Sequence, residues 1–148
     1  MTTQWPVLRA GLVTLLPTLP GWSGVAVYDG QPLAGDQTTS YAAVGYVDGD
    51  PTAGSFTQTP DGSGFFDTES GEVRSELFVG TGDDDLPGVI TTAFGLVDAL
   101  KDYLRQDRTA GVLPKGSTTS LAADVQTGKD SGVGVLLVLT VSYTSPIT

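Results

Sequence analysis

The chain contains no cysteine and no histidine. Without cysteine there is no disulfide framework, so packing alone must hold the fold, and thiol catalysis is ruled out. Without histidine no Ser-His or Cys-His triad can be built, and the usual nitrogen and sulfur ligand sets for zinc are missing. Positive charge is scarce too: 7 Lys and Arg stand against 17 Asp and Glu, a formal charge of −10 with a pI near 4.1. Such a surface repels phosphate backbones, which argues against an unaided nucleic-acid-binding module. No apolar run approaches membrane-spanning length. The first residues lack the basic region of a secretion signal, and Pro17 and Pro20 break the apolar stretch early. The expectation is a soluble chain made in a cytoplasm, with no membrane partner.

What is present is glycine, proline and one strong helical pattern. The 20 Gly and 9 Pro put much of the chain in turns, while 148 residues suffice for one domain with a real core. From Leu86 to Asp107, apolar residues fall at Val89, Ile90, Ala93, Phe94, Val97, Leu100 and Leu104, the three- and four-residue steps of an amphipathic helix. Asp83, Asp84 and Asp85 offer an N-cap and negative charge at the positive end of the helix dipole, and Pro87 suits the first turn. Lys101, Arg105 and Arg108 favour the other end, and Gly111 and Pro114 stop the helix.

A first helix is expected from a Thr2 or Thr3 cap to Leu16, with Pro6 in its first turn and Val7, Leu8, Leu12, Leu15 and Leu16 on its apolar face. Pro17 and Pro20 end it. Strands are predicted at Val25–Tyr28, Tyr41–Val47 and Ser55–Thr59, each bounded by Gly, Asp or Pro turn signals. Phe65-Phe66 opens a further extended stretch, in which Glu69-Ser70-Gly71 reads as a hairpin turn or a bulge. Glu72, Arg74 and Glu76 then alternate with Val73, Ser75, Leu77 and Val79, which places the two sets on opposite faces of a strand. The charged set suggests a solvated or partner-facing surface. After the central helix come strands at Leu121–Gln126 and Val133–Tyr143. The last has Leu136 and Val138 on one face and six apolar residues on the other, so both faces need cover, the second from the N-terminal helix or another subunit. The predicted fold class is α+β: a mostly antiparallel sheet with an N-terminal helix and one long central helix packed on it, in one domain spanning 1–148.

Motifs that suggest chemistry are weak. Asp48-Gly49-Asp50 fails as a calcium loop, because Thr52, Ala53 and Thr59 stand where an oxygen ligand, the turn Gly and the closing Glu belong. Gly80-Thr81-Gly82 lacks the later Gly and Lys of a phosphate loop, and three Asp follow it. Paired carboxylates are unavoidable among so many acids, and none lies in an evidently apolar pocket. Trp5, Trp22 and the tyrosines could stack sugars but read better as core or interface anchors. Lys101, Lys115 and Lys129 are not placed for Ser-Lys chemistry. We therefore expect no catalytic residues, no metal and no cofactor. Four of the seven cations, Lys101, Arg105, Arg108 and Lys115, gather near the end of the central helix. They serve the helix dipole, or they form a basic patch that meets an acidic patch on a neighbouring subunit, a head-to-tail match that closes a ring.

Taken together, the N-terminal amphipathic helix, the early strands, the strand Glu72-Val73-Arg74-Ser75-Glu76-Leu77-Phe78-Val79, the Gly82-Asp83-Asp84-Asp85 lead into the helix at Leu86, and the closing hairpin ending in Val133–Tyr143 resemble a tail-terminator (tail-completion) protein of long, non-contractile-tailed phages of the lambda type. The Gly/Asp/Thr-rich region from Gln31 to Gly64 departs from that pattern. The resemblance implies a structural virion protein, not an enzyme. It implies a homohexameric ring at the head-proximal end of the tail tube that ends tube growth and meets a head-tail connector. The protein would reside in the tail or neck of the virion, and in the host cytoplasm during assembly. A ring of six such chains would carry roughly −60, so double-stranded DNA would pass its lumen without specific binding. The candidate interface residues are Arg74, Glu76, Asp83, Asp84, Asp85, Lys101, Arg105, Arg108, Leu136 and Val138. The alternatives are a connector or neck completion protein, a tail-tube subunit or, from another class, a small carbohydrate- or calcium-binding module.

Overall fold

The computed structural model describes residues 3–32, 40–50, 52–60, 67–80, 86–127 and 134–147. Helix α1 (Trp5–Leu15) leads through two short 3-10 turns to strands β1 (Ala26–Asp29), β2 (Ser40–Val44), β3 (Gly54–Pro60) and β4 (Asp67–Gly80). Helix α2 (Leu86–Gln106) and strands β5 (Thr118–Thr127) and β6 (Gly134–Ile147) complete the order. The strands form one sheet in the order β1-β2-β4-β6-β5. Strand β3 pairs with the N-terminal half of β4 and β2 with its C-terminal end, so the two share one edge of that strand. On its other edge β4 pairs with β6 along its whole length, from Asp67↔Ile147 to Gly80↔Gly134. The fold is α+β and mostly antiparallel, as expected. The exception is β1–β2, which run parallel; Asp29-Gly30 ends a strand without turning a hairpin.

Val73, Leu77 and Val79 of β4 and Val135, Leu137, Leu139, Val141 and Tyr143 of β6 are buried in one cluster with Leu8, Leu12 and Leu15 of α1 and Val89, Ala93, Leu96, Val97, Leu100 and Leu104 of α2. These strand residues alternate along the chain and so share one face. Both helices therefore cover that face, and α1 is not the second cover expected for β6. Each fully buried Leu or Val here contributes on the order of 1.5–3 kcal/mol.

Several boundaries move for physical reasons. Helix α1 starts at Trp5 with Gln4 at the N-cap and no side-chain cap. Thr2 lies outside the described residues, and instead of a threonine the Glu69 carboxylate of β4 accepts the Gln4 N–H at 2.8 Å. Glu69-Ser70-Gly71 is neither turn nor bulge: β4 runs straight through it, with Glu69↔Ser145, Ser70↔Thr144 and Gly71↔Tyr143 in register. A Cβ on Gly71 would come 2.4 Å from Ser55 O, so this glycine permits the close approach of β3. In α2 the buried stripe includes Leu96 and leaves Phe94 39% exposed. The fully buried Trp22 lies on the Leu96 side, its Nε1–H donating to Leu96 O at 3.1 Å. The helix ends at Gln106, before the expected stop at Gly111 and Pro114, and Ala110 and Gly111 in the turn beyond it take left-handed backbone at φ 53° and 77°. Strand β5 is longer than the predicted Leu121–Gln126, and β6 continues through Pro146. Phe65-Phe66, Val133 and the Asp83–Asp85 cap lie outside the described residues.

Candidate functional site

Positions 101, 104, 105 and 108 recur at helical spacing and face one way. Leu104 is buried and anchors that flank, while Lys101, Arg105 and Arg108 stay exposed around it. Together with Thr119, Ser120 and Leu121 of β5 they line a cleft of about 260 Å³. The Lys101 ammonium stands 3.4 Å from Asp98 on the exposed helix surface. Arg105 and Arg108 have no ion pair or hydrogen-bond partner among the described residues. At the helix end the Asp107 N–H donates to Tyr103 O at 2.8 Å, and in the turn beyond it the Leu113 N–H donates to Thr109 O at 2.8 Å. Asp107 is occupied by Thr109, whose hydroxyl and N–H donate to Oδ1 at 2.6 and 3.1 Å. The Thr109 hydroxyl bond is the main reason its carboxyl is held below the ordinary carboxylate range. On β5 the buried Thr119 Oγ1 has no hydrogen-bond partner. Lys115 does not line this cleft.

The other flank of α2 is acidic. Asp98 and Asp102 line a second cleft of about 460 Å³ with Leu19, Pro20, Tyr103 and Gln106. Two of the cations also have a carboxylate three residues before them, Asp98 for Lys101 and Asp102 for Arg105, so the four charges alternate along one stretch of the helix.

On the sheet face away from the helices, the register aligns Glu76 with Val138 and Phe78 with Leu136, with Arg74 beside Thr140. Arg74, Glu76, Leu136 and Val138 are therefore brought together as neighbours on one sheet face. Two of them are not solvated. Glu76 is 2% exposed and Val138 3%. The Val47–Asp50 turn folds over this face: Glu76 Oε1 accepts the Asp48 N–H at 2.7 Å, Oε2 accepts the Tyr41 hydroxyl at 2.6 Å, and Arg74 pairs with Asp50. Burial first, and then the bond to Glu76, push the Tyr41 phenol well above its ordinary pKa. Tyr41 stacks on Phe78 with ring centroids 5.7 Å apart. Glu76 is thus a satisfied buried group whose role is to anchor the turn, a correction to the expectation of a solvated or partner-facing charge. The local signal for it was Asp48-Gly49-Asp50, a turn too far along the chain to link with Glu76 by periodicity.

Trp22 is core, as the plainer reading of the aromatics held. Trp5 donates its Nε1–H to Glu72 O at 2.7 Å and lines a cleft of about 370 Å³ with Phe56, which is 47% exposed on β3. Among the described residues no group of three or more metal-ligating side chains comes together, and no helix is long and apolar enough to cross a membrane. Asp83, Asp84 and Asp85 lie outside the described residues. No protein family matches the chain, and no curated protein matches it in sequence.

Proposed function

We propose that this chain is a structural virion protein that forms a homohexameric ring at the head-proximal end of a phage tail tube, ends tube growth and joins the tail to the head. The observation that carries the reading is the element order: a short N-terminal helix and a 21-residue helix on one face of a sheet built on the full-length β4–β6 pair, closed by the β5–β6 hairpin. That order is the one the tail-terminator resemblance implies. Two features support it. The acidic composition suits a lumen that DNA traverses without sticking. Among the described residues, strands β1, β3 and β5 each have one strand neighbour, which leaves backbone groups for further chains. The partners are then other copies of the chain, the tail-tube protein and the head-tail connector.

Electron microscopy of the purified chain, alone and with tube protein, tests this. A closed ring that sits at one end of each tube is expected. Unlimited self-polymerisation would instead identify a tube subunit, and phage lacking the protein but bearing tubes of normal length joined to heads would refute the role. A second reading has the Trp5–Phe56 cleft in its favour: a small carbohydrate-binding module. Saccharide-dependent quenching of Trp5 fluorescence, with buried Trp22 as the constant background, would select it.

A further inference from the structure

We propose that the groove between α2 and β5 is a carboxylate-binding site whose occupant is the Asp98–Asp102 flank of α2 in a second copy of this chain; this rests on the self-assembly reading above. Three cations, Lys101, Arg105 and Arg108, line the groove together with Thr119, Ser120 and Leu121 of β5. Guanidinium and ammonium donors along one cleft are the chemistry that recognises an oxyanion. The cations are not spent within the chain. Arg105 and Arg108 have no partner among the described residues, and Lys101 has only an exposed contact to Asp98.

The occupant follows from charge and spacing. Asp98 and Asp102 stand one helical turn apart, as do Lys101 and Arg105, so two carboxylates match two cations in register. The acidic pair lines a cleft on the other flank of the same helix. A contact between different flanks is head-to-tail, the kind that closes into a ring when its rotation allows. Nucleic acid phosphate is a poorer occupant, because the acidic flank lies beside the groove and the chain carries −10.

The test uses two full-length variants, Arg105→Glu/Arg108→Glu and Asp98→Lys/Asp102→Lys. All four positions are exposed, and unchanged circular dichroism and melting verify the fold; Arg105→Gln/Arg108→Gln serves if reversal disturbs it. In sedimentation velocity each variant alone should associate at least about tenfold more weakly than the wild type, with a loss that shrinks as salt rises. Mixed in equal amounts, the two reversed variants should reassemble, because alternating copies restore every contact. Folded variants that assemble alone like the wild type, or a mixture that stays dissociated, overturn the groove's role while the ring stands. A wild-type chain that never self-associates overturns the ring reading, and the occupant with it.

Discussion

The Tyr143 hydroxyl donates to the Glu69 carboxylate at 2.6 Å, and the same oxygen accepts the Gln4 N–H at 2.8 Å. The other oxygen takes the Gln58 side-chain amide at 2.8 Å. One fully buried carboxylate therefore ties the start of α1 and strand β3 to the β4–β6 pair. Glu69→Ala strands buried donors, each costing about 1–3 kcal/mol, so a loss of several kcal/mol is expected. Tyr143→Phe leaves Glu69 two acceptor contacts and should cost about 1 kcal/mol. Urea denaturation of both variants checks the order.

Alkaline pH should unfold the protein through two phenols, the buried Tyr143 and the half-buried Tyr41. Tyr41 and Tyr143 are both raised above the ordinary value of 10.0, by burial first and then by Glu76 and Glu69 respectively. A raised folded-state value means the folded chain holds its proton more tightly than the unfolded one. The stability is full below pH 10 and falls as pH climbs above it, by up to two protons per molecule unfolded. Phenolate absorbance of these two residues should rise together with loss of the sheet signal. Their titration at the ordinary value in a still-folded chain would contradict this.

The elements that periodicity alone determines were legible in the residues. Helix α2 begins at Leu86 and ends within one residue of the expected Asp107, and the inner set Val73, Ser75, Leu77 and Val79 lies on one face of β4 as alternation requires. What was not legible depends on partners distant in the chain. Gly71 carries a turn signal, but Ser55 and Phe56 of β3 make it a point of close approach. Glu76 reads as a surface charge until the Asp48 N–H and Tyr41 hydroxyl close on it. Of the candidate site, the helical spacing identified Lys101, Arg105 and Arg108. Thr119 and Ser120 could not be found, since no local pattern says that β5 runs beside the end of α2.

Gly71→Ala separates the two readings of that glycine. An added Cβ would meet Ser55 O at 2.4 Å and the Phe56 Cβ at 2.8 Å. Overpacking against backbone should displace β3 and cost about 1–3 kcal/mol. Amide exchange in Ser55–Gln58 should accelerate while β6, on the other edge of β4, keeps its protection. A glycine needed only for a turn would show no such asymmetry.

Val138 and Leu136 share the face opposite the helices, yet substitution should affect them differently. Val138 lies in register between Glu76 on β4 and Asp124 on β5. Val138→Asp would place a third carboxylate between those two, at a position 3% exposed, while the neighbouring Arg74 is already paired with Asp50. A loss of several kcal/mol is expected, partly recovered at low pH as the introduced carboxyl protonates. Leu136 is only half-buried, between Phe78 and Gln126. Leu136→Asp should melt within a few degrees of the wild type. If that face is covered by another subunit, the same change will weaken association far more than folding. Melting of each variant, set beside its sedimentation, separates the packing of a single chain from its packing against neighbours. Equal losses of stability at both positions would mean that one chain already closes this face by itself.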